Sequence, residues 1–391
     1  MSLLKPKLLM VSHTPLVAHF FLRPHIEQLS RNFDVCLAQN IDIDTYCPNV
    51  DDICNVENIC IQRRFGFISD FFALFQLISL VFRLKPTIVI SVAPKPGLLG
   101  MMISAFMGVN IRLHIFQGEV WPNRNGISRL ILKSCDGFII KLATHLLCVS
   151  PSEKILLQDN FSIEKNKLRV LGSGTICGVK SNFFTCDRDL SLSDKYHNSL
   201  KADSKVCIYL GRVCEEKGIR DLINAFSQID HNCRDVQLIL VGPEEDFSVQ
   251  DEIAKLPGHI KDKILHFGFT KEPYKLLAFA DFICLPSYRE GYPVSILEAA
   301  AMGVPAVGSR VVGICDAIIE NETGLLFNPR NIKDLSNLLC IMFDDDTLRK
   351  QFGKNAKSRV IKNFKQKKVV SLYSEYIESL CTNYYGSHQI I

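Results

Sequence analysis

With 391 residues the chain exceeds what a single core usually fills, so two domains of similar size are expected. A composition of 47% apolar and 22% charged residues excludes long disordered regions. A net charge of +4 is small for this length and does not suggest nucleic acid as a partner.

The first segment, KLLMVS at Lys7 to Ser12, is a short apolar run that ends at His13-Thr14-Pro15, and a helical pattern follows through Phe21, Ile26 and Leu29. The same grammar recurs in FDVCLAQ from Phe33, a helix from about Asp70 to Arg83, TIVISV from Thr87, a glycine-rich helix after Pro96, IRLHIF from Ile111 and HLLCVS from His145. Strands that alternate with helices imply a parallel sheet covered on both faces. The pattern lapses in a Ser/Asp-rich stretch between Gly172 and Lys201, where a domain boundary is expected at 185/186. A second series begins with KVCIYLG at Lys205 and continues through VQLILVG, KILHFG, DFICLP and PAVGS. The fold class is therefore α/β, two Rossmann-like doubly wound domains facing a central cleft, with ligands at the carboxyl ends of the strands. The stretch after Asn331 reads as helix to about Leu380, interrupted near Asp344 to Asp346, whose acids suit a helix cap rather than a metal site. Residues 366–391 are expected to form a terminal helix packing back on the amino-terminal domain.

The fifteen cysteines lie scattered in apolar stretches, as at Cys207, Cys284 and Cys340, without paired ligand spacing or a secretory signal, and read as buried thiols in a reducing compartment. The longest uncharged window, Pro96 to Ile111, has sixteen residues and falls short of the roughly 20 needed to span a bilayer. Basic residues concentrate between Arg112 and Lys141, and again from Arg349 to Lys368, where nine face no acid. Such runs are either solvated helix faces or surfaces drawn to anionic head groups or diphosphates. The segment DFFALFQLISLVFR, Asp70 to Arg83, is apolar nearly all round. It is either a buried helix or one inserted shallowly into a membrane, beside Arg63, Arg64, Arg83 and Lys85.

The most informative stretch is Ser287 to Ser309, SYREGYPVSILEAAAMGVPAVGS, which follows a buried strand and opens a helix. Unpaired N–H groups at such a helix start form a seat for a diphosphate. Glu290 before the turn and Glu298 inside the helix would repel phosphate, so they suit hydroxyls, of a transferred sugar and of a ribose respectively. In YLGRVCEEKG, Arg212 follows the first strand of the second domain and Lys217 stands at a helix start, two cations able to stabilise a departing diphosphate without a metal.

GRxxxxKG at Gly211 to Gly218 together with Glu290-x7-Glu298 resembles the nucleotide-sugar half of the glycosyltransferase family 4 enzymes, which have the GT-B fold. The resemblance implies Arg212 and Lys217 on the diphosphate, and Glu290 with the Gly291, Tyr292 and Pro293 backbone around donor sugar and phosphates. It also implies Glu298 on the ribose, with Gly242, Glu244, Gly268 and Phe269 along the nucleobase. SVAPKPGLLG and RLHIFQGEVW resemble the bacterial branch that builds O-antigen and capsule units on undecaprenyl diphosphate. That branch implies an undecaprenyl-diphosphate-linked saccharide as acceptor, with His13, Gln117 and Gly118 on its side and either His114 or Gln117 reaching the transferred sugar. It further implies a donor that is a UDP sugar, retention of configuration, no cofactor, no metal, and a place on the cytoplasmic face of the inner membrane. A 2-epimerase of the same fold and an inactive nucleotide-sugar-binding subunit are the rival expectations.

Overall fold

A computed structural model describes residues 5–43, 50–62, 66–180, 183, 204–229 and 235–388. The chain divides into two units, Met1–Gly178 with Gln366–Ile391, and Val179–Lys365.

The sheet of the first unit contains β1 (Lys7–Val11), β2 (Asp34–Gln39), β3 (Asn55–Asn58), β4 (Ile88–Val92), β5 (Ile111–Phe116), β6 (His145–Cys148) and β7 (Leu168–Val170). All pairs are parallel, in the order β3-β2-β1-β4-β5-β6-β7. All five residues of β4 are buried, as expected of a parallel strand with helices on both faces. The helices are α1 (Pro15–Val17), α2 (Arg23–Leu29), α3 (Phe67–Leu84), α4 (Pro94–Phe106), α5 (Gly126–Leu142) and α6 (Pro151–Asn160). Between α1 and α2, where the sequence reads as one helix, residues Ala18–Leu22 form a π-helical turn. Pro24 lacks the N–H that a regular helix would need there, and the wider turn absorbs the break.

The second unit orders its strands β10-β9-β8-β11-β12-β13. These are β8 (Lys205–Leu210), β9 (Val236–Val241), β10 (Ile264–Phe267), β11 (Phe282–Leu285), β12 (Ala306–Ser309) and β13 (Gly324–Phe327). Its helices are α7 (Ile219–Ser227), α8 (Val249–Ala254), α9 (Gly258–Lys261), α10 (Pro273–Leu277), α11 (Val294–Met302), α12 (Ile314–Ala317), α13 (Ile332–Asp344) and α14 (Asp346–Asn363). Chain order reverses between β8 and β11, which makes their carboxyl ends the switch point of this sheet.

The final helix α15 (Gln366–His388) belongs to the first unit. It packs on α2, and the Tyr373 hydroxyl donates to the Thr175 carbonyl at 3.1 Å. The long helical stretch expected after Asn331 is thus broken twice. The second break follows Phe364, which is fully buried against Tyr292. The units divide at Gly178/Val179, ahead of the boundary expected at 185/186. The Val179 N–H already donates to the Phe364 carbonyl at 2.7 Å, and Val179 forms a bridge with Lys365. Most of the Ser/Asp-rich stretch, with residues 184–203, lies outside the described residues, as do Arg63 and Arg64.

The acids at Asp344 to Asp346 act as the sequence suggests. Asp345 caps α14 by accepting from the Leu348 N–H at 2.8 Å, and Asp346 pairs with Lys205 at 2.9 Å and with Arg349. Cys207 and Cys284 are buried free thiols, Cys340 a half-buried one.

Candidate active site

The loops after β8 and β11 interlock at the switch point of the second unit. Gly218 has φ +68°, and a Cβ there would lie 2.2 Å from the Pro286 carbonyl oxygen, so only glycine lets the first loop close on the second. The Tyr288 N–H donates to the Glu216 carbonyl at 2.9 Å, and Arg289 pairs with Glu216 at 2.7 Å. Gly242, at φ +144°, meets the Gly211 carbonyl in the same way, since a Cβ would come within 1.8 Å of that oxygen. The loop after β9 is thereby pressed onto the loop that carries Arg212.

This scaffold brings Lys217 and Glu290 together. Their Nζ and Oε1 lie 2.6 Å apart, with the side chains 14% and 13% exposed, and the Ser287 hydroxyl donates to the same Oε1 at 2.8 Å. Arg212 pairs with Glu245, and its carbonyl accepts from the buried Tyr209 hydroxyl at 2.6 Å. Glu215 and Glu216, which stand between the two cations in sequence, form their ion pairs with Arg220 and Arg289, while Glu216 also acts on both cations through space. A fixed pair in so sheltered a place holds each charge in position without reorganisation.

Other expected residues take different places. Gly291 and Pro293 are buried in the turn leading into α11. The Tyr292 ring is buried, tilted against Phe364 with centroids 5.6 Å apart, and its hydroxyl donates to the Asp316 carbonyl, so its side chain is engaged in the core. Glu298 lies in α11, partly buried, its carboxylate making no hydrogen bond to any described residue, and burial pushes that carboxyl up to about 7. The exposed Glu244 accepts from the Val249 N–H at 2.9 Å and approaches His266 Nδ1 at 3.4 Å. Gly268 and Phe269 are exposed after β10.

In the first unit His13 follows β1, partly buried. His114 is a core histidine, 1% exposed, with Nδ1 at 2.8 Å from the Ser91 hydroxyl and its ring edge-on to Phe116. Burial lowers its pKa to about 3, so it stays neutral and is no proton donor near pH 7. The expected contact of this ring with a sugar is not made possible here, because β5 turns it inward against Gly97, where an added Cβ would come within 2.4 Å of Cε1. Gln117 is partly buried at the end of β5, and the Gly118 N–H donates to the buried Glu153. Glu153 also accepts from the Val149 N–H at 2.7 Å, and burial raises its carboxyl to about 7.

Glu245, Ser287 and Glu153 are the residues that sequence reasoning missed. Glu245 was visible in VGPEE, and Glu153 in the Ser-x-x-Glu pattern beginning at Ser150. Among the described residues no three His, Cys, Asp or Glu side chains cluster as a metal site would require.

Residues 193–359 match the family model Glycosyl transferases group 1. The capsular polysaccharide biosynthesis glycosyltransferase CapM of Staphylococcus aureus is 26% identical over 349 residues, 87% of this chain and 91% of CapM. The UDP-Gal:alpha-D-GlcNAc-diphosphoundecaprenol alpha-1,3-galactosyltransferase of Escherichia coli is 25% identical over 381 residues, 93% of this chain and 96% of that one. Among solved structures, sucrose-phosphate synthase of Thermosynechococcus elongatus superposes with a TM-score of 0.79 at 18% identity, covering 97% of this chain and 100% of that one. HepE of Anabaena, in complex with UDP-glucose, gives 0.76 at 17% identity, covering 96% and 99%. With residues 193–359 matching the group 1 glycosyl transferase model, the chain is a glycosyltransferase with the GT-B architecture.

Proposed function

We propose that the chain moves a hexose or N-acetylhexosamine from UDP, with retention of configuration, onto an undecaprenyl-diphosphate-linked saccharide during surface polysaccharide synthesis at the inner membrane. The observation that carries this reading is the pair of cation sites, Arg212 with Glu245 and Lys217 with Glu290, at the switch point of the second sheet. The relatives named for capsule synthesis and for diphosphoundecaprenol, and the solved complex with UDP-glucose, support the choice of acceptor and donor.

A diphosphate entering the site takes the two cations as partners. As the bond from the anomeric carbon to the diphosphate oxygen breaks, charge grows on that oxygen and Arg212 and Lys217 stabilise it. The acceptor hydroxyl attacks on the same face, and its proton passes to the departing oxygen. The new bond thus keeps the configuration without a protein nucleophile. Glu290, released in part from Lys217, accepts from hydroxyls of the sugar, and Glu298 accepts from the ribose diol. His114, enclosed in the core, supports β5 and leaves Gln117, Gly118 and His13 as the acceptor-side groups of the first unit.

The test is turnover of UDP sugars with an undecaprenyl-diphosphate saccharide, with the product's anomeric configuration read by NMR. Glu290→Gln is expected to slow turnover at least roughly a hundredfold, about 2.7 kcal/mol of barrier. Near-normal turnover removes Glu290 from the mechanism, and conversion of the donor to an epimer without acceptor overturns the transfer reading.

A further inference from the structure

The outer surface of the first unit breaks the usual rule for a helix layer. In the strand order of this unit the chain returns from the edge at β3 and then runs steadily from β4 to β7. Right-handed crossovers therefore put α3, α4 and α5 side by side on one face of the sheet, and α4 packs against both neighbours.

The inner side of α3 joins the core through Ala73, Leu77, Leu80 and Val81. Its outer side would ordinarily be polar. Here it presents Ile68, Phe71, Phe72, Phe75 and Phe82, the last 67% exposed. One face of this segment is thus buried in the core, and the other is exposed and apolar.

The outer side of α5 repeats the pattern with Ile127, Leu130, Ile131 and Phe138, spaced as one helical stripe and each more than half exposed. Phe106, at the end of α4 between them, is 85% exposed. Apolar side chains on three adjacent helices exceed the scattered exposure normal for a water-facing surface.

Charge selects the occupant. The three helices contain two acids, Asp70 and Asp136. Asp70 is paired with Lys95, and Asp136 is 4% exposed. Arg124, Arg129 and Lys141 on and before α5, and Lys85 after α3, are exposed. A second copy of this chain docked by a two-fold axis would set these cations against themselves. An anionic bilayer surface instead matches both the phenylalanine stripes and their basic rim.

We propose that the α3–α4–α5 face lies on an anionic lipid bilayer, with the stripes of α3 and α5 entering the boundary between head groups and acyl chains. This rests on the reading of a lipid-linked acceptor and names the surface that would bring the first unit to it.

The test is co-sedimentation of the full chain with phosphatidylethanolamine/phosphatidylglycerol vesicles and with phosphatidylcholine vesicles. Two variants carry the argument, Leu130→Gln/Ile131→Gln on α5 and Phe71→Gln/Phe75→Gln on α3, each checked for folding by circular dichroism. Wild type is expected to favour the anionic vesicles, and each variant to lower that partition at least roughly tenfold. Arg124→Glu/Arg129→Glu is expected to remove most of the preference for anionic over neutral lipid. No binding by wild type, or equal binding by all four proteins, overturns the proposal. So does a wild-type oligomer in light scattering that the glutamine variants make monomeric, because the face then belongs to a second copy. Thermal stabilisation by UDP, read on the same samples, reports on the second unit alone and separates failure of the donor reading from failure of this one.

Discussion

Glu290 stands in the loop after β11 and Glu153 in the first turn of α6, which follows β6, and the two carboxylates are answered by different chemistry. Glu290 faces Lys217 and the Ser287 hydroxyl, whereas Glu153 receives the N–H groups of Gly118 and Val149. The first arrangement holds a cation, the partner that the proposed function lends to a phosphate. The second has no cation to lend, and it fixes the backbone of Gly118. Two sheets of related topology thus differ in the groups at their strand ends rather than in the sheets themselves.

Removing the cation from the first arrangement is expected to have the larger effect on stability. Lys217→Met leaves the Glu290 carboxylate sheltered with one hydroxyl for company, and an orphaned charge of this kind costs about 2–3 kcal/mol at such partial exposure. Denaturant unfolding would measure it, and Lys217→Met/Glu290→Met is expected to regain most of the loss because no charge is left behind. If Lys217→Met unfolds at the wild-type midpoint, the pair is not held in the folded protein.

Glu153→Gln is the milder change. A glutamine offers one carbonyl oxygen to two N–H donors and turns its NH2 toward the other, for about 1–2 kcal/mol. Its sharper signature is in pH. Burial raises the carboxyls of Glu153 and Asp136 to about 7 in the folded state, against ordinary values near 4. Between those limits the folded chain holds protons that the unfolded chain has released, so their contribution to stability falls as pH rises from about 4.5 to 7 and is level above that. Thermal unfolding across this window should show the decline in wild type and a shallower one in Glu153→Gln. Identical slopes would mean that Glu153 is already ionised in the folded state.

How far each element could be read from the sequence follows from its surroundings. The interior strands, buried on both faces, give apolar runs that need no further context. The strands left unread are β3, β7 and β13, each at the edge of its sheet and three or four residues long. Asn55 to Asn58, with two asparagines and a glutamate, looks like a loop until a neighbour pairs with it. The break after Phe364 is likewise tertiary, set by the burial of one ring rather than by a proline or glycine.

The site divides in the same way. Arg212, Lys217 and Glu290 stand in short loop motifs, and their residue types alone point to a diphosphate and to hydroxyls. Their partners are set by the fold, since Arg212 meets Glu245 across 33 positions and Lys217 meets Glu290 across 73. Glu153 shows a capping pattern in sequence, but its reach to Gly118 spans 35 positions and exists only once β5 and α6 are assembled. For His114, a histidine in an apolar strand, enclosure by α4 decided the matter, and the sequence alone contains no signal for that.

The claim on which the rest depends is that Arg212, Lys217, Glu290 and Glu298 surround a nucleotide sugar, and thermal unfolding of the purified chain with UDP, GDP and their sugar conjugates tests it most directly. Binding to the folded state alone raises stability by about 2.7 kcal/mol at a hundredfold excess of ligand over its dissociation constant. The expected result is a clear rise in the unfolding temperature with UDP and a UDP sugar, much reduced in Glu298→Ala. No rise with any nucleotide, or a rise that Glu298→Ala leaves untouched, would contradict the placement of the donor in this site.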